Sequence, residues 1–526
     1  MNLINDCWIP VVRADGLRAH IAPWHIVEVD NPVTDIVAPR PDFQGALYQF
    51  LIGLLQTTFA PVDMDEWLER WQTPPSIEQL KDTFENFSGA FELDNPDGPA
   101  FMQDFDLPIS EKKSLAALLI ESPGEKTRKD NQDLFVKGGL IDVLCQSCAA
   151  SALFTLQINA PSGGAGHRVG LRGGGPLTTL VIPVAASTLW HKLWSNVLPE
   201  DKLCEKLAKL ESVALPWLAE ARYSIKGETT FPDDVHPLQQ YWSMPRRIRL
   251  QSESVGSQYC SICDRQTSQP ITSFRTKNYG TNYDGPWLHS LTPYRFDVKK
   301  KNLPLSLKGQ DGGLGYRHWL GLVWEDTGNG DQAAANVRHF NEDIADYIEE
   351  SLARLWCFGF DMDNMKARCW YEHTIPILNI SGKNQEIFLA GVTQLIEAAR
   401  QSASLLRGHI KAAWFKRPKD VGGNMDTAVY QFWQRTEAHF YQQLYQMGKI
   451  SDGDRQIPQE VAASWHGVIK NTALGLFDEW TLNASSEDMN MKQVVQARTK
   501  LQGLFHTAKP FKNLLQIAQQ KKEIST

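Results

Sequence analysis

Two Cys-x-x-Cys pairs set the tightest constraint on how this chain can fold. Cys145-Gln-Ser-Cys148 and Cys260-Ser-Ile-Cys263 stand more than a hundred residues apart. Each pair can present two thiolates on one tight turn, and two such turns make a tetrahedral zinc site with Zn–S near ~2.3 Å. A site of that kind staples distant segments, and its binding energy becomes folding energy. Zinc ribbons usually space their pairs by roughly 15–20 residues, so two other readings stand beside zinc. One is a redox pair, although neither pair follows an obvious strand and opens a helix. The other is two unrelated pairs of buried thiols. Metal is favoured over disulfides in a cytosolic chain, so the expected cofactor is one structural zinc on Cys145, Cys148, Cys260 and Cys263. Cys7, Cys204, Cys357 and Cys369 are scattered, which suits a reducing cytoplasm better than a disulfide framework.

The first pair leads into Pro161-Ser-Gly-Gly-Ala-Gly-His-Arg-Val-Gly-Leu-Arg-Gly-Gly-Gly-Pro176. Glycine serves turns anywhere. The functional alternative is that missing side chains let the backbone approach a ligand, with N–H groups, Arg168 and Arg172 meeting phosphates. The stretch departs from both common phosphate loops. No Gly-Lys-Ser/Thr follows, and the third glycine position of Gly-x-Gly-x-x-Gly is Val169.

At 526 residues the chain exceeds one ordinary core, and two to four domains are expected. A net charge of −8 argues against a surface that coats nucleic acid as a whole, while allowing local basic patches. The N-terminus lacks a signal-peptide pattern, and no apolar run reaches about 18 residues. A cytoplasmic protein without a membrane partner is therefore expected. Strands are expected at Trp8–Val12, Ile26–Val29 and Thr178–Pro183. Asp42 is a plausible cap for a core helix from Phe43 to about Phe59. Further helices are expected over 64–89 and over 186–222, the latter with Trp190, Trp194 and Trp217. Arg246–Arg249 reads as a basic strand with a solvated face.

Residues 121–139 form a long polar stretch in which Lys126, Arg128, Lys129 and Lys137 surround Phe135. It is either a solvated loop or one that probes nucleic acid, with Phe135 stacking or wedging. Gly359–Lys366 reads as a turn between two strands with Asn364, Met365 and Lys366 at its tip; an ordinary hairpin end is the commoner case. If zinc joins the knuckles, Arg275, Lys277, Asn278 and the glycine loop face one neighbourhood. From about residue 384, apolar residues recur at three and four in four runs, the signature of a four-helix bundle. The fold class is therefore α+β: a mixed, zinc-stapled N-terminal domain over 1–380 and a C-terminal four-helix bundle over 381–526. No His-Asp pair, Glu-x-x-His or compact carboxylate cluster suggests an enzyme.

The N-terminal Met1–Pro10 sequence, the two knuckles, the Ala160–Thr179 stretch, the Gly359–Met365 turn and the C-terminal runs together resemble the CasA family. These are the large subunits of type I-E CRISPR Cascade surveillance complexes. The resemblance covers essentially the whole chain and rests on the order and spacing of these features. It implies a non-enzymatic subunit that reads the protospacer-adjacent motif (PAM) in double-stranded target DNA, starts strand separation for crRNA pairing, and docks a recruited helicase–nuclease. Its implied partners also include the Cascade backbone, crRNA 5′-handle and small subunits. The family's minor-groove glycine loop corresponds to Ser162, Gly163, Gly164, Ala165 and Gly166, with alanine at 165 where the family has glycine. Arg168 lies beside it. The family's minor-groove lysine falls nearest Asn278, with Lys277 adjacent. Its glutamine wedge falls at Asn364, followed by Met365 and Lys366. The probing loop's aromatic corresponds to Phe135, with Lys137 beside it.

Overall fold

The structure, a computed structural model, describes residues 1–110, 112–123, 127, 129–130, 139–184, 188–203, 213–252, 256–309, 312–348, 352–363, 366–378, 380, 384–416, 426–449, 457–482 and 490–520. The chain divides into two compact units, Met1–Gly309 with Glu325–Thr374, and Gln310–Trp324 with Ile375–Thr526. No described helix is long and apolar enough to cross a membrane.

In the first unit, β1 (Ile9–Arg13) pairs antiparallel with β2 (Arg18–Ile21) and β3 (Val33–Ile36). The strand expected at Ile26–Val29 is absent. Pro23 starts a 3-10 turn over Pro23–Val27 instead, because its fixed φ is pre-set for a helical first position. Helix α1 (Pro41–Thr58) is buried nearly all round, as its apolar sequence predicts. Asp42 does not cap it; Arg40 is the N-cap residue, and Asp42 lies buried in the first turn, ion-paired to Arg40 at 3.0 Å. The single helix expected over 64–89 is two, α2 (Met64–Gln72) and α3 (Ile77–Glu85). Pro74-Pro75 prevents continuation, and the side chains of Asp63 and Ser76 cap the two starts.

The remaining elements of this unit that bear on the site are β4 (Lys112–Lys113), α4 (Gln146–Asn159), β5 (Thr178–Pro183), α5 (Leu189–Trp194), β6 (Arg247–Ser252), β7 (Gln258–Tyr259), β8 (Gln266–Thr267), β9 (Ile271–Lys277) and the hairpin strands β10 (Leu352–Asp363) and β11 (Lys366–Leu378). Strand β9 lies between β4 and β6, and β10 lies between β11 and β5. The helix expected over 186–222 shrinks to α5 and short turns among the described residues. The core centres on Phe50 of α1. Its ring meets Trp8, Phe91, Phe101, Phe154 and Trp242 edge-on, with centroids 5.3–6.0 Å apart. Aromatic pairs in this arrangement contribute about 0.5–1.5 kcal/mol each beyond burial.

The glycine-rich segment splits into two parts. Its later part, Gly170–Pro176, is packed rather than open. A side chain at Gly175 would meet Met362 and the Phe360 carbonyl, and one at Gly359 would meet the Pro176 carbonyl. The segment therefore lies flush against β10. Arg172, expected to face phosphate, is buried within this packing. It donates to Gln49 Oε1 (2.8 Å), Thr178 Oγ1 (3.0 Å), Thr292 Oγ1 (3.1 Å) and the Ile158 carbonyl (3.4 Å). Burial among these neutral acceptors lowers its pKa to about 10. Arg172 thus ties the glycine segment to α1, α4 and β5 and is unavailable to a ligand.

The second unit holds α6 (Asn384–Trp414), α7 (Asp426–Lys449), α8 (Gln459–Leu482), α9 (Met491–Thr507) and α10 (Lys509–Gln519). The four expected amphipathic runs are present. A fifth helix begins anew at Lys509-Pro510, where proline takes a first-turn position. The buried stripe of α6 contains Val392, Leu395, Ile396, Ala399, Ala403, Leu406 and Ile410. An upstream segment joins these helices. The Tyr316 ring stacks on Phe440 at 4.4 Å, and its hydroxyl meets Thr436 Oγ1 at 2.8 Å.

Replacing Arg172 with methionine is expected to destabilise the first unit by about 2–4 kcal/mol, because Gln49, Thr178 and Thr292 lose a charged donor inside the core. Denaturant unfolding followed by tryptophan fluorescence measures the loss.

Candidate nucleic-acid interface

The cysteine pairs come together. All four Sγ atoms lie within 4.8 Å of one another, and Cys145 Sγ is 3.7 Å from Cys263 Sγ. Thiolates placed tetrahedrally at about 2.3 Å from a zinc ion have sulfurs about 3.8 Å apart, so the spacing fits such an ion. Cys145, Cys148 and Cys260 are buried. Contrary to expectation, the first pair does open a helix. Cys145 is the N-cap of α4, and its sulfur accepts from the Cys148 N–H at 3.5 Å. The second pair sits on the turn between β7 and β8. Shared hydrogen bonds polarise the cluster. Those with Cys145 and Cys148 bring the Cys263 thiol down to about 7, and those with Cys145, Cys260 and Cys263 push Cys148 up. Four thiols this close together can hold a metal ion as thiolates.

Backbone bonds stitch the knuckles together. Ser261 N–H donates to the Val143 carbonyl at 2.8 Å, and Leu144 and Ile271 exchange bonds at 3.0 and 2.9 Å. From this junction two rods run on. Helix α4 has fourteen residues and spans about 21 Å. Strand β9 has seven and spans about 23 Å. They meet again at the glycine loop. Tyr279 N–H donates to the Gly166 carbonyl at 2.7 Å, and Asn278 Nδ2 donates to the Ala165 carbonyl at 2.7 Å. The glycine loop and Asn278 are therefore neighbours, as expected, but the cysteine cluster stands at the far end of the rods. Arg275, midway, donates to Gln251 Oε1 at 3.3 Å and the Ser110 carbonyl at 3.4 Å.

Ser162, Gly163, Gly164 and Ala165 are exposed. Gly164 and Gly166 hold φ of +96° and +76°, in the left-handed region that glycine adopts freely. A side chain at Gly166 would come within 2.8 Å of Asn278 Cβ and 3.0 Å of the Tyr279 ring. Lys277 ends β9 as an exposed residue beside this loop. Its cross-strand neighbour Arg247 is buried and ion-paired to Asp104 at 2.7 Å. The basic strand Arg246–Arg249 is thus no solvated face.

Two arginines at the loop are turned inward. Arg168 donates to Ser224 through Nε (2.7 Å to Oγ) and Nη2 (3.1 Å to the carbonyl). Arg246 Nη1 lies 2.5 Å from His167 Nδ1, and its Nη2 donates to the Pro161 carbonyl. Burial first, then the Arg246 and Lys113 charges, lowers the His167 pKa, so the neutral ring accepts from Arg246. Arg246, Ser224 and Tyr279 were not legible as loop partners in the sequence; the only trace is that Arg246 follows a proline and precedes a strand. Lys366 is the exposed first residue of β11. The strands run through to Asp363 and resume at Lys366, so the turn expected over Gly359–Lys366 is much shorter. Asn364, Met365, Phe135 and Lys137 lie outside the described residues.

A family model described as CRISPR-associated protein Cse1 matches residues 2–476. Among solved structures, the chain is similar to CasA of Thermus thermophilus, at 17% identity and a TM-score of 0.69 over 96% of this chain and 99% of that one. It is similar to Cse1 of Thermobifida fusca, at 18% identity and a TM-score of 0.69 over 99% of each. It also matches a chain of a CRISPR RNA-guided surveillance complex, at 14% identity and a TM-score of 0.71 over 96% and 99%. At these identities the likeness shows a shared fold.

The loop geometry separates two glycines that look alike in sequence. Gly166→Ala is expected to cost about 1–3 kcal/mol, through both its positive φ and the clash with Asn278 and Tyr279. Gly164→Ala, with no neighbour within 4 Å, carries the backbone cost alone, about 1 kcal/mol. Paired denaturant curves test the difference.

Proposed function

Because the chain belongs to the CRISPR-associated Cse1 family, we propose that it is the large subunit of a type I-E Cascade complex that reads the PAM in double-stranded DNA. The observation that carries this reading is the exposed loop 162–166 held against Asn278 with Lys277 beside it. A side-chain-poor backbone and one cation match what the minor groove offers, a narrow cleft that mainly separates A·T from G·C. Recognition of that kind is short and permissive. Base pairing with the guide then supplies sequence specificity.

In this function, Lys277 faces the groove and the loop backbone follows its floor. Asn364 and Met365 part the first base pairs as a wedge, since inserted side chains unstack a base step at a cost of a few kcal/mol. Phe135, Lys137 and Lys366 contribute stacking and charge, and the partners are the target DNA, the crRNA, the other Cascade subunits and a recruited helicase–nuclease in the cytoplasm. The subunit itself is not an enzyme. Cys145, Cys148, Cys260 and Cys263 hold a zinc ion, which when bound supplies a structural cross-link. Four thiolate ligands close the coordination shell and leave no position for a reacting water.

A zinc-stapled scaffold that binds only protein and RNA is the second reading, favoured by the inward turn of Arg168 and Arg172. Binding of the reconstituted complex to duplex targets with a randomised flanking motif separates the two. Motif-dependent binding that falls about 5- to 50-fold in Lys277→Ala is the expected result; binding indifferent to both motif and mutation supports the scaffold. The purified chain is expected to carry one zinc, and Cys263→Ser to lose it along with several degrees of thermal stability. Metal analysis beside a melting curve measures both.

A further inference from the structure

Arg168 stands next to the glycine loop with the chemistry of a phosphate contact, yet its guanidinium is committed elsewhere. Ser224 is almost fully buried, and each of its polar groups is engaged. Its N–H donates to the Tyr279 carbonyl at 3.1 Å, and its hydroxyl donates to the Gly280 carbonyl at 2.7 Å. The same hydroxyl and the Ser224 carbonyl accept from Arg168 at 2.7 and 3.1 Å. Tyr279 completes the link. Its φ is +65°, a region that non-glycine residues enter rarely. In that conformation its N–H reaches the Gly166 carbonyl, and its ring covers Gly166. The Arg168 guanidinium lies 5.7 Å from the centre of the same ring.

We infer that Arg168, Ser224 and Tyr279 form a positioning device that fixes the shape of the 162–166 loop and governs motif reading without touching DNA. This rests on the DNA-reading function proposed above. The physical reason is entropic. Four exposed residues, two of them glycine, have many backbone states. A loop that must be ordered on contact loses affinity to that ordering, whereas a pre-shaped loop does not. Arg246 ties the loop's entry at Pro161 to its exit at His167, and Arg168 secures the exit further at Ser224. Guanidinium suits both posts because its planar fork binds two acceptors in one orientation.

The test uses the assembled complex and matched duplexes differing only in flanking motif, titrated at several salt concentrations. Arg168→Ala and Ser224→Ala are expected to shrink the affinity ratio between the best and a poor motif about tenfold, with the salt slope unchanged. Lys277→Ala is the contrast, its slope falling by about 1 as a phosphate or groove cation is lost. Arg168→Lys, which keeps a donor for Ser224, is expected to recover part of the ratio. In the free chain, amide exchange at His167 and Tyr279 is expected to quicken in Ser224→Ala, with zinc content held and the melting temperature lowered by only a few degrees. A salt slope that falls in Arg168→Ala as it does in Lys277→Ala overturns the inference and makes Arg168 a phosphate contact. Unchanged motif ratios or unchanged exchange in folded variants overturn it as well. A wild type without motif preference instead overturns the DNA-reading function, while quickened exchange in Ser224→Ala still upholds the loop-fixing half of the device.

Discussion

Strand β9 is tied at both ends, and the geometry of the candidate interface depends on that double attachment. At one end Ile271 exchanges hydrogen bonds with Leu144 beside the cysteine knuckles; at the other Tyr279 and Asn278 hold the carbonyls of Gly166 and Ala165. Helix α4 spans the same interval from Cys145 to the loop. A helix and a strand are both stiff along their axes, so fixing one end fixes the other. The placing of the four cysteines and the placing of a loop about 20 Å away are therefore mechanically linked. Both rods are further held from the side, α4 by the Phe50 cluster and β9 by β4 and β6.

Charge is handled with the same economy. The chain is acidic in total, and around the loop most guanidinium groups face inward. Arg172 is buried among neutral acceptors, Arg247 is paired with Asp104, and Arg168 and Arg246 hold backbone and hydroxyl oxygens. Oxygen acceptors offset part of the desolvation cost of these guanidinium groups, while burial still lowers the pKa of Arg172 and of Arg246 to about 10. The outcome is a rigid frame made partly of arginine, with a lysine at its exposed corner.

Much of this was legible in sequence where one physical rule dominates. The all-round apolar run of α1, the heptad-like stripes of the C-terminal helices and the cysteine cluster follow from periodicity and thiol chemistry alone. What could not be read was partnership. Arg168 and Arg172 sit four residues apart in one glycine-rich stretch, yet their roles depend on Ser224, Gln49 and Thr292, which are remote in sequence. Composition likewise hid that Pro74-Pro75 would split a helix whose apolar spacing ran on, and that Pro23 would turn a β-like run into a 3-10 turn. Local backbone constraint overrode pattern in both cases.

Ala165 and Asn278 make physical sense together at the loop. Ala165 lies between glycines at φ +96° and +76° but itself has an ordinary negative φ, so its methyl group meets no backbone penalty. Its carbonyl is the acceptor for Asn278. A lysine at 278 could not present the same short, planar amide to that carbonyl while also reaching outward, whereas asparagine can hold the loop but brings no charge. Lys277, one residue earlier and exposed at the strand end, supplies a positive charge beside it. Holding the loop and supplying its charge are thus divided between two adjacent residues.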